Sequence, residues 1–134
     1  MRMVVCICLL VFSLIGCSKP STVDEKSDVI VKMEGIENID TFKKFIANMK
    51  KGKENEVQIV HYTKEGDPIF ETVKYNGKEI EYVKDNSQDK LGDKEIEFDT
   101  CRDMSEEKRE DRTVYALTKC EKGNTYELIT VPEL

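Results

Sequence analysis

Cys17 ends the motif Leu14-Ile15-Gly16-Cys17, whose residue types suit covalent attachment of a lipid. The small residue Gly16 fits a signal peptidase at the bond before the cysteine, whose sulfur then forms a thioether with diacylglycerol. Arg2 and an apolar stretch over residues 3–14 precede the motif. About a dozen residues match the apolar part of a secretory signal and are too few to span a ~30 Å hydrocarbon layer. The motif predicts a lipoprotein signal peptide over residues 1–16 and a lipid on Cys17.

Lipidation of Cys17 also predicts a location. The protein would be attached to the cell membrane through this lipid and would lie on the extracellular face. Two or three acyl chains give stable attachment without a membrane-spanning helix. The alternative is an ordinary signal peptide, or a short membrane anchor, in which the cysteines are incidental.

Two further cysteines, Cys101 and Cys120, would remain in the exported chain. An even pair in an exported protein favours a disulfide, which would close a loop of about 20 residues and contribute roughly 3 kcal/mol to stability. Two free thiols and a redox-active pair are the alternatives. The spacing lacks the Cys-x-x-Cys pattern that lowers a thiol pKa, so a structural bridge is favoured.

The single histidine, His61, could serve as a catalytic base with Glu65 or Asp67 nearby in sequence. A catalytic histidine needs a nucleophile or an orienting carboxylate within reach, and a single histidine does not make a usual zinc site. Glu65-Gly66-Asp67-Pro68 is also explained by turn chemistry alone. The functional alternative is a loop that presents Glu65 and Asp67 to a partner.

Oxygen-bearing side chains alternate along residues 85–93, as they do in calcium-binding loops. Asp85, Ser87, Asp89 and Asp93 are the candidate ligands. Lys90 takes the place where an EF-hand needs glycine, and Ile96 stands where the bidentate glutamate belongs. These two departures exclude an EF-hand and leave a weak calcium site or a solvated loop. We expect no cofactor, and we assign no firm metal site.

The composition limits the classes of partner. The chain carries 27 acidic and 21 basic side chains, for a net charge of −6. An acidic balance argues against nucleic acid, which selects basic patches. It also argues against peripheral attachment to anionic lipid through basic residues.

One helix and several strands follow from the apolar spacing. Ile39, Phe42, Phe45, Ile46 and Met49 form one helical stripe, with Asn38 or Asp40 as the cap and Gly52 as the left-handed stop. Alternating patterns predict strands near residues 28–33, 56–63, 69–75, 78–84, 96–101, 115–117 and 126–130, and Asn76-Gly77 marks a hairpin.

These elements predict an α+β fold in which one amphipathic helix packs on an antiparallel β-sheet of about five to six strands. Residues 17–27 would be the lipidated cysteine and a flexible tether, and residues 28–134 a single domain. A simple hairpin between strands ending at Cys101 and Cys120 would put the cysteines over ~20 Å apart. Bridging them therefore requires that those strands are not neighbours, or that residues 102–112 fold back.

Several segments resemble an uncharacterised family of bacillus-type, Gram-positive lipoproteins built on a single domain of unknown function. The matching stretches are Gly35-Ile36-Glu37-Asn38, residues 62–69, Asp85-Asn86-Ser87-Gln88-Asp89, Thr100-Cys101 and residues 115–120. Lys119 departs from the pattern, where glycine is expected before the second cysteine. The resemblance implies a surface lipoprotein and supports the Cys101–Cys120 bridge, but it implies no activity.

The first functional hypothesis is a non-enzymatic binding module that acts on an unknown protein, peptide or cell-wall component. An accessory or inhibitor protein for an exported enzyme or toxin is the second. A hydrolase that uses His61 with Asp67 or Glu65 ranks last.

Overall fold

The computed structural model describes residues 20–133, in which eight strands surround one helix. In chain order the elements are β1 (Val29–Lys32), β2 (Gly35–Glu37), α1 (Ile39–Lys50), β3 (Asn55–Tyr62), β4 (Pro68–Tyr75), β5 (Ile80–Asp85), β6 (Ile96–Lys108), β7 (Arg112–Cys120) and β8 (Tyr126–Pro132). The predicted helix is confirmed, and Gly52 adopts the expected left-handed conformation after it, with φ 71°.

The predicted fold class is wrong. All eight strands belong to one sheet in the order β2-β1-β3-β4-β5-β6-β7-β8, so the fold is mostly β rather than a helix on a sheet of five to six strands. The sheet is also mixed, because β1 and β3 are parallel while every other neighbouring pair is antiparallel. A parallel pair needs a crossover connection, and α1 supplies it.

The core lies between α1 and the concave face of the sheet. The helix buries Phe42, Phe45 and Ile46. These three side chains pack in one cluster with residues from most of the strands: Val29, Val57, Ile59, Val73, Ile80, Tyr82, Cys101, Leu117, Cys120, Leu128 and Ile129. Burial of this apolar surface is the main stabilising contribution to the fold.

The sheet curls nearly closed around the helix. Phe42 meets Tyr115 of β7 edge to face at 5.2 Å between ring centroids, and the same helix also contacts β1 and β3. At its other end, Lys50 lies 3.6 Å from Glu106 of β6. Strands distant in the sheet order therefore contact one helix, which an open sheet with a helix on one face would not allow.

The N-terminal segment covers part of the convex face. Ile30, Val60 and Phe70 are buried but stand outside the helix-facing cluster. Next to them, Gln58 donates to the carbonyl of Thr22 at 3.1 Å, and Ser21 donates to Asp85 at 2.9 Å. The chain predicted to be a tether up to residue 27 thus has hydrogen bonds to the sheet from Ser21 onward.

The disulfide between Cys101 and Cys120 is confirmed, and it joins directly opposed residues of β6 and β7. Both structural alternatives expected for residues 102–112 are wrong. Strand β6 does not end at Cys101 but continues to Lys108, and β7 begins at Arg112. The two strands are therefore hairpin neighbours with the cysteines at the same level, because the charged segment after Cys101 is itself strand.

Candidate functional site

A histidine and a buried carboxylate meet at the end of the concave face. Strand β3 places His61 two residues beyond the position opposite Glu71 of β4, since Ile59 pairs with Glu71 and His61 with Ile69. His61 Nε2 lies 2.7 Å from Glu71 Oε2, although the ring N–H is not aligned for a hydrogen bond and neither atom has another partner among residues 20–133. Glu71 is only 5% exposed. A carboxylate so buried requires compensating partners.

Tyr82 supplies the second partner of Glu71. Its hydroxyl donates to Glu71 Oε1 at 2.5 Å, from the neighbouring strand β5. Burial, reinforced by the adjacent carboxylate of Glu71, raises the pKa of the Tyr82 hydroxyl strongly. Tyr82 therefore keeps its proton and its hydrogen bond to Glu71 across the ordinary pH range.

A second tyrosine extends this row of polar groups. Tyr126 lies against Tyr82 with ring centroids 4.3 Å apart, and its hydroxyl is 2.8 Å from both Glu97 Oε1 and Asp99 Oδ2. Burial together with these two carboxylates raises the pKa of Tyr126 to about 12. Burial works against ionisation of Asp99, but hydrogen bonds from Tyr126 and from backbone N–H groups outweigh it and lower its pKa. We call these six residues (His61, Glu71, Tyr82, Glu97, Asp99 and Tyr126) the interior polar row.

A groove opens to solvent at the His61 end of the interior polar row. We call it the His61 groove. It has a volume of about 520 Å³, and it is lined by Val31, Lys32, Met33, Glu34, His61, Tyr62, Thr63 and Gly66. Met33, at the tip of the β1–β2 turn, is 99% exposed. The volume lies within the range of small-ligand sites, which are mostly apolar with a few placed polar groups.

The two residues of the predicted partner-contact loop differ in their surroundings. Glu65 is exposed in the turn between β3 and β4. Asp67 is buried, and it accepts a hydrogen bond from the Lys90 N–H at 3.0 Å, with Lys90 Nζ 3.4 Å from its other oxygen. The Lys90 N–H lowers the pKa of Asp67. Asp67 thus joins this turn to the β5–β6 loop and has little surface to offer a partner.

Two of the candidate calcium ligands, Asp85 and Asp89, already accept hydrogen bonds from the protein. Asp85 accepts from the Ser87 N–H and from Ser21, while Asp89 accepts from the N–H groups of Leu91 and Gly92. Asp93 is exposed. Within residues 20–133, no three His, Cys, Asp or Glu side chains form a group that could hold a metal ion. The structure therefore does not bring Asp85, Ser87, Asp89 and Asp93 together as a ligand set.

The predicted hydrolase arrangement does not form in the described part of the chain. The carboxylate that faces His61 is Glu71, not Glu65 or Asp67. Over residues 20–133, His61 makes no hydrogen bond to a serine, threonine or cysteine side chain that could act as nucleophile. The arrangement places a part-exposed imidazole in the groove wall, beside a buried carboxyl group.

Sequence reasoning missed the buried role of the charged residues Glu71 and Asp99. Each stands in a strand of alternating residues, and a charged residue there usually faces solvent. Only the register that aligns Glu71 with Ile59, and Asp99 with Tyr82, puts them on the concave face.

Cys17 and the predicted signal peptide lie outside the described residues. Within residues 20–133 there is no helix long and apolar enough to cross a membrane.

A family model described as a domain of unknown function (DUF4362) matches residues 26–116. This is well over half of the chain. The chain belongs to the DUF4362 family. The match includes His61, Glu71, Tyr82 and Asp99 but ends within β7, whereas the fold continues through β8 and the second disulfide cysteine. No curated protein and no solved structure matches the chain.

Proposed function

We propose that this DUF4362 protein is a lipoprotein of a Gram-positive bacterium, anchored on the extracellular face of the membrane through Cys17. The motif ending in Gly16-Cys17 supports this address. The Cys101–Cys120 bridge is consistent with it, because disulfides persist in oxidising compartments outside the cytosol.

The protein works there as a binding module and not as an enzyme. The observation that carries this proposal is the His61 groove, in which a part-exposed imidazole is backed by the buried carboxylate of Glu71. Clefts with apolar walls and a few placed polar groups are the usual form of a ligand site. The ligand is a short segment of a protein partner or a cell-wall component, with an apolar group between Met33 and Tyr62 and a polar group that reaches His61.

The second proposed function is that of an accessory or inhibitor protein, which would use the same part of the surface. The fully exposed Met33 at the tip of the β1–β2 turn favours it, since a protruding apolar side chain can enter a cleft of an exported enzyme. A hydrolase ranks third. Replacement of His61 by alanine separates the hydrolase from both binding functions, because a binding module keeps part of its affinity while a hydrolase loses its general base.

Photo-crosslinking from the groove tests the binding proposal. A photoreactive phenylalanine analogue replaces Met33 in the anchored protein in its own cells, and a matched control carries it at the exposed Glu110 in the β6–β7 turn. We expect a specific adduct from position 33 that is absent from position 110 and lost when Tyr62 is changed to alanine. Equal capture at the two positions, or an adduct that survives Tyr62→Ala, would contradict binding in the His61 groove.

A further inference from the structure

The convex face of the sheet is covered on one side only. Residues 21–28 are hydrogen-bonded to Gln58 of β3 and to Asp85 of β5, on either side of β4, and Val60 and Phe70 on this face are fully buried. Further along the same face, Ile96 pairs with Asp85, and Phe98 pairs with Val83. Ile96 is 51% exposed and Phe98 is 59% exposed. Two large apolar side chains on a neighbouring strand are thus left without cover from the described part of the chain.

The N-terminal chain leaves the domain beside these two side chains. Ser21 donates to Asp85 Oδ2, and Gln88 Nε2 donates to the Ser21 carbonyl at 2.5 Å. Asp85 lies directly opposite Ile96 across the strand pair. Ser21 is four residues beyond Cys17 in the sequence, and an extended chain of this length reaches at most ~14 Å. A lipid on Cys17 would therefore hold this side of the domain against the bilayer.

We propose that the apolar strip formed by Val83, Ile96 and Phe98 contacts the acyl–headgroup interface of the membrane. This inference rests on the proposed lipidation of Cys17. The lipid chain supplies the attachment, and the strip sets the orientation of the domain, so that β6 points its Ile96 end toward the bilayer. The opposite end of β6, with the β6–β7 turn, then points outward.

The contact is apolar rather than electrostatic. The loop between β5 and β6 carries Asp89, Asp93 and Glu95 against Lys90 and Lys94, so it has no excess of positive charge. The same loop presents Leu91, which is 77% exposed. Apolar side chains of this kind bury into the interface in proportion to their area, while an attraction to anionic lipid requires basic residues. The contact is therefore expected to persist at high salt.

Tryptophan fluorescence tests the orientation, because the chain contains no tryptophan. Phe98→Trp places a single reporter in the apolar strip, and Ile96→Trp, in a separate variant, places one on the same face. Arg109→Trp is the matched control, since Arg109 follows the far end of β6, a strand of 13 residues with a contour length of ~40 Å. The lipidated protein is purified from producing cells and reconstituted in phosphatidylglycerol–phosphatidylcholine vesicles, with and without bromine on the upper part of the acyl chains.

Contact with the bilayer predicts that bromolipid causes a several-fold greater loss of emission from the reporters at positions 98 and 96 than from the control at position 109. Equal quenching of the strip and the control, in protein that floats with the vesicles, would overturn the orientation and leave the anchor intact. Blue-shifted emission that bromolipid does not quench would also overturn it, because the strip would then be covered by protein rather than by lipid. Protein that carries no lipid by mass and does not float would overturn both the orientation and the proposed anchor.

Discussion

The Tyr82 hydroxyl donates a hydrogen bond to Glu71 across neighbouring strands, inside a sheet whose other concave residues are mostly apolar. Because His61 lies against the other oxygen of the same side chain, one buried carboxyl group joins the core to the wall of the His61 groove. The stability of the core and the shape of the groove are therefore coupled through Glu71.

Replacement of Tyr82 by phenylalanine should lower the free energy of unfolding by about 1–3 kcal/mol, because Glu71 Oε1 loses its buried donor. Urea unfolding at pH 7 measures this change. Tyr75→Phe is the control, since Tyr75 lies on the same sheet without a hydrogen bond from its hydroxyl to another side chain in the described residues. Equal losses for the two variants would contradict the importance of the Tyr82–Glu71 bond.

The cost of Tyr82→Phe should also depend on pH. The folded pKa of Tyr82 is raised above its ordinary value of 10.0. The stabilisation is therefore fully present below pH 10 and declines above it, because the unfolded chain releases the proton while the folded chain retains it. The difference between wild type and Tyr82→Phe should shrink between pH 10 and pH 11 in urea unfolding, and a constant difference would contradict the raised pKa.

Asp67→Asn should make the protein less sensitive to acid. The folded pKa of Asp67 lies below its ordinary value of 3.8, chiefly through the Lys90 N–H. Its contribution is therefore present above about pH 4 and is lost as the pH falls through the lower folded value. Thermal unfolding from pH 6 to pH 2.5 should show a shallower decline for Asp67→Asn than for wild type. Glu65→Gln, in the same turn but exposed, should leave the decline unchanged.

Lys119→Gly should stabilise the fold by about 0.5–1 kcal/mol. Lys119 has φ 54°, a left-handed conformation that costs a residue other than glycine about 1–2 kcal/mol. Glycine avoids this cost, but it loses more conformational entropy on folding, so the net gain is smaller. The lost ion pair with Asp103 is solvent-exposed and contributes little. Lys119→Ala removes the same ion pair without relieving the backbone, so it should not stabilise. A gain for Lys119→Ala equal to that for Lys119→Gly in urea unfolding would contradict this explanation.

Replacing both Cys101 and Cys120 by serine should lower the free energy of unfolding by about 3 kcal/mol, mainly because the unfolded chain gains freedom when the loop is opened. The midpoint of urea unfolding measures the loss. Reductant should lower the wild-type midpoint toward that of the variant and leave the variant itself unchanged. A reductant effect on the variant would show that the loss has another cause.

The sequence predicted the elements better than their arrangement. The stripe from Ile39 to Met49 is long enough to identify α1 and its buried face. Strand β2 has only three residues, Gly35–Glu37, and carries no strand pattern of its own. The parallel pairing of β1 with β3 depends on where α1 crosses, which no local spacing reveals. The number of strands and the mixed sheet therefore could not be predicted from the local sequence patterns.

The length of β6 was missed for a different reason. Residues after Cys101 are mostly charged, and such a segment is typical of a loop unless both its faces are solvated. The carboxylate that faces His61 was also beyond local sequence patterns. Glu65 and Asp67 neighbour His61 in sequence, whereas Glu71 reaches His61 through the register of β3 and β4. Contacts between strands, rather than neighbours in sequence, determine which carboxylate faces the histidine.

The proposed membrane location and the proposed orientation both depend on lipidation of Cys17. Detecting this lipid is therefore the most direct test. The protein is isolated from the membranes of a Gram-positive host that produces the full chain, and its N-terminal peptide is analysed by tandem mass spectrometry. The predicted result is a peptide that begins at Cys17 with diacylglycerol on the sulfur and with residues 1–16 removed. A chain that retains residues 1–16, or that begins elsewhere with an unmodified Cys17, would contradict the proposed membrane anchor.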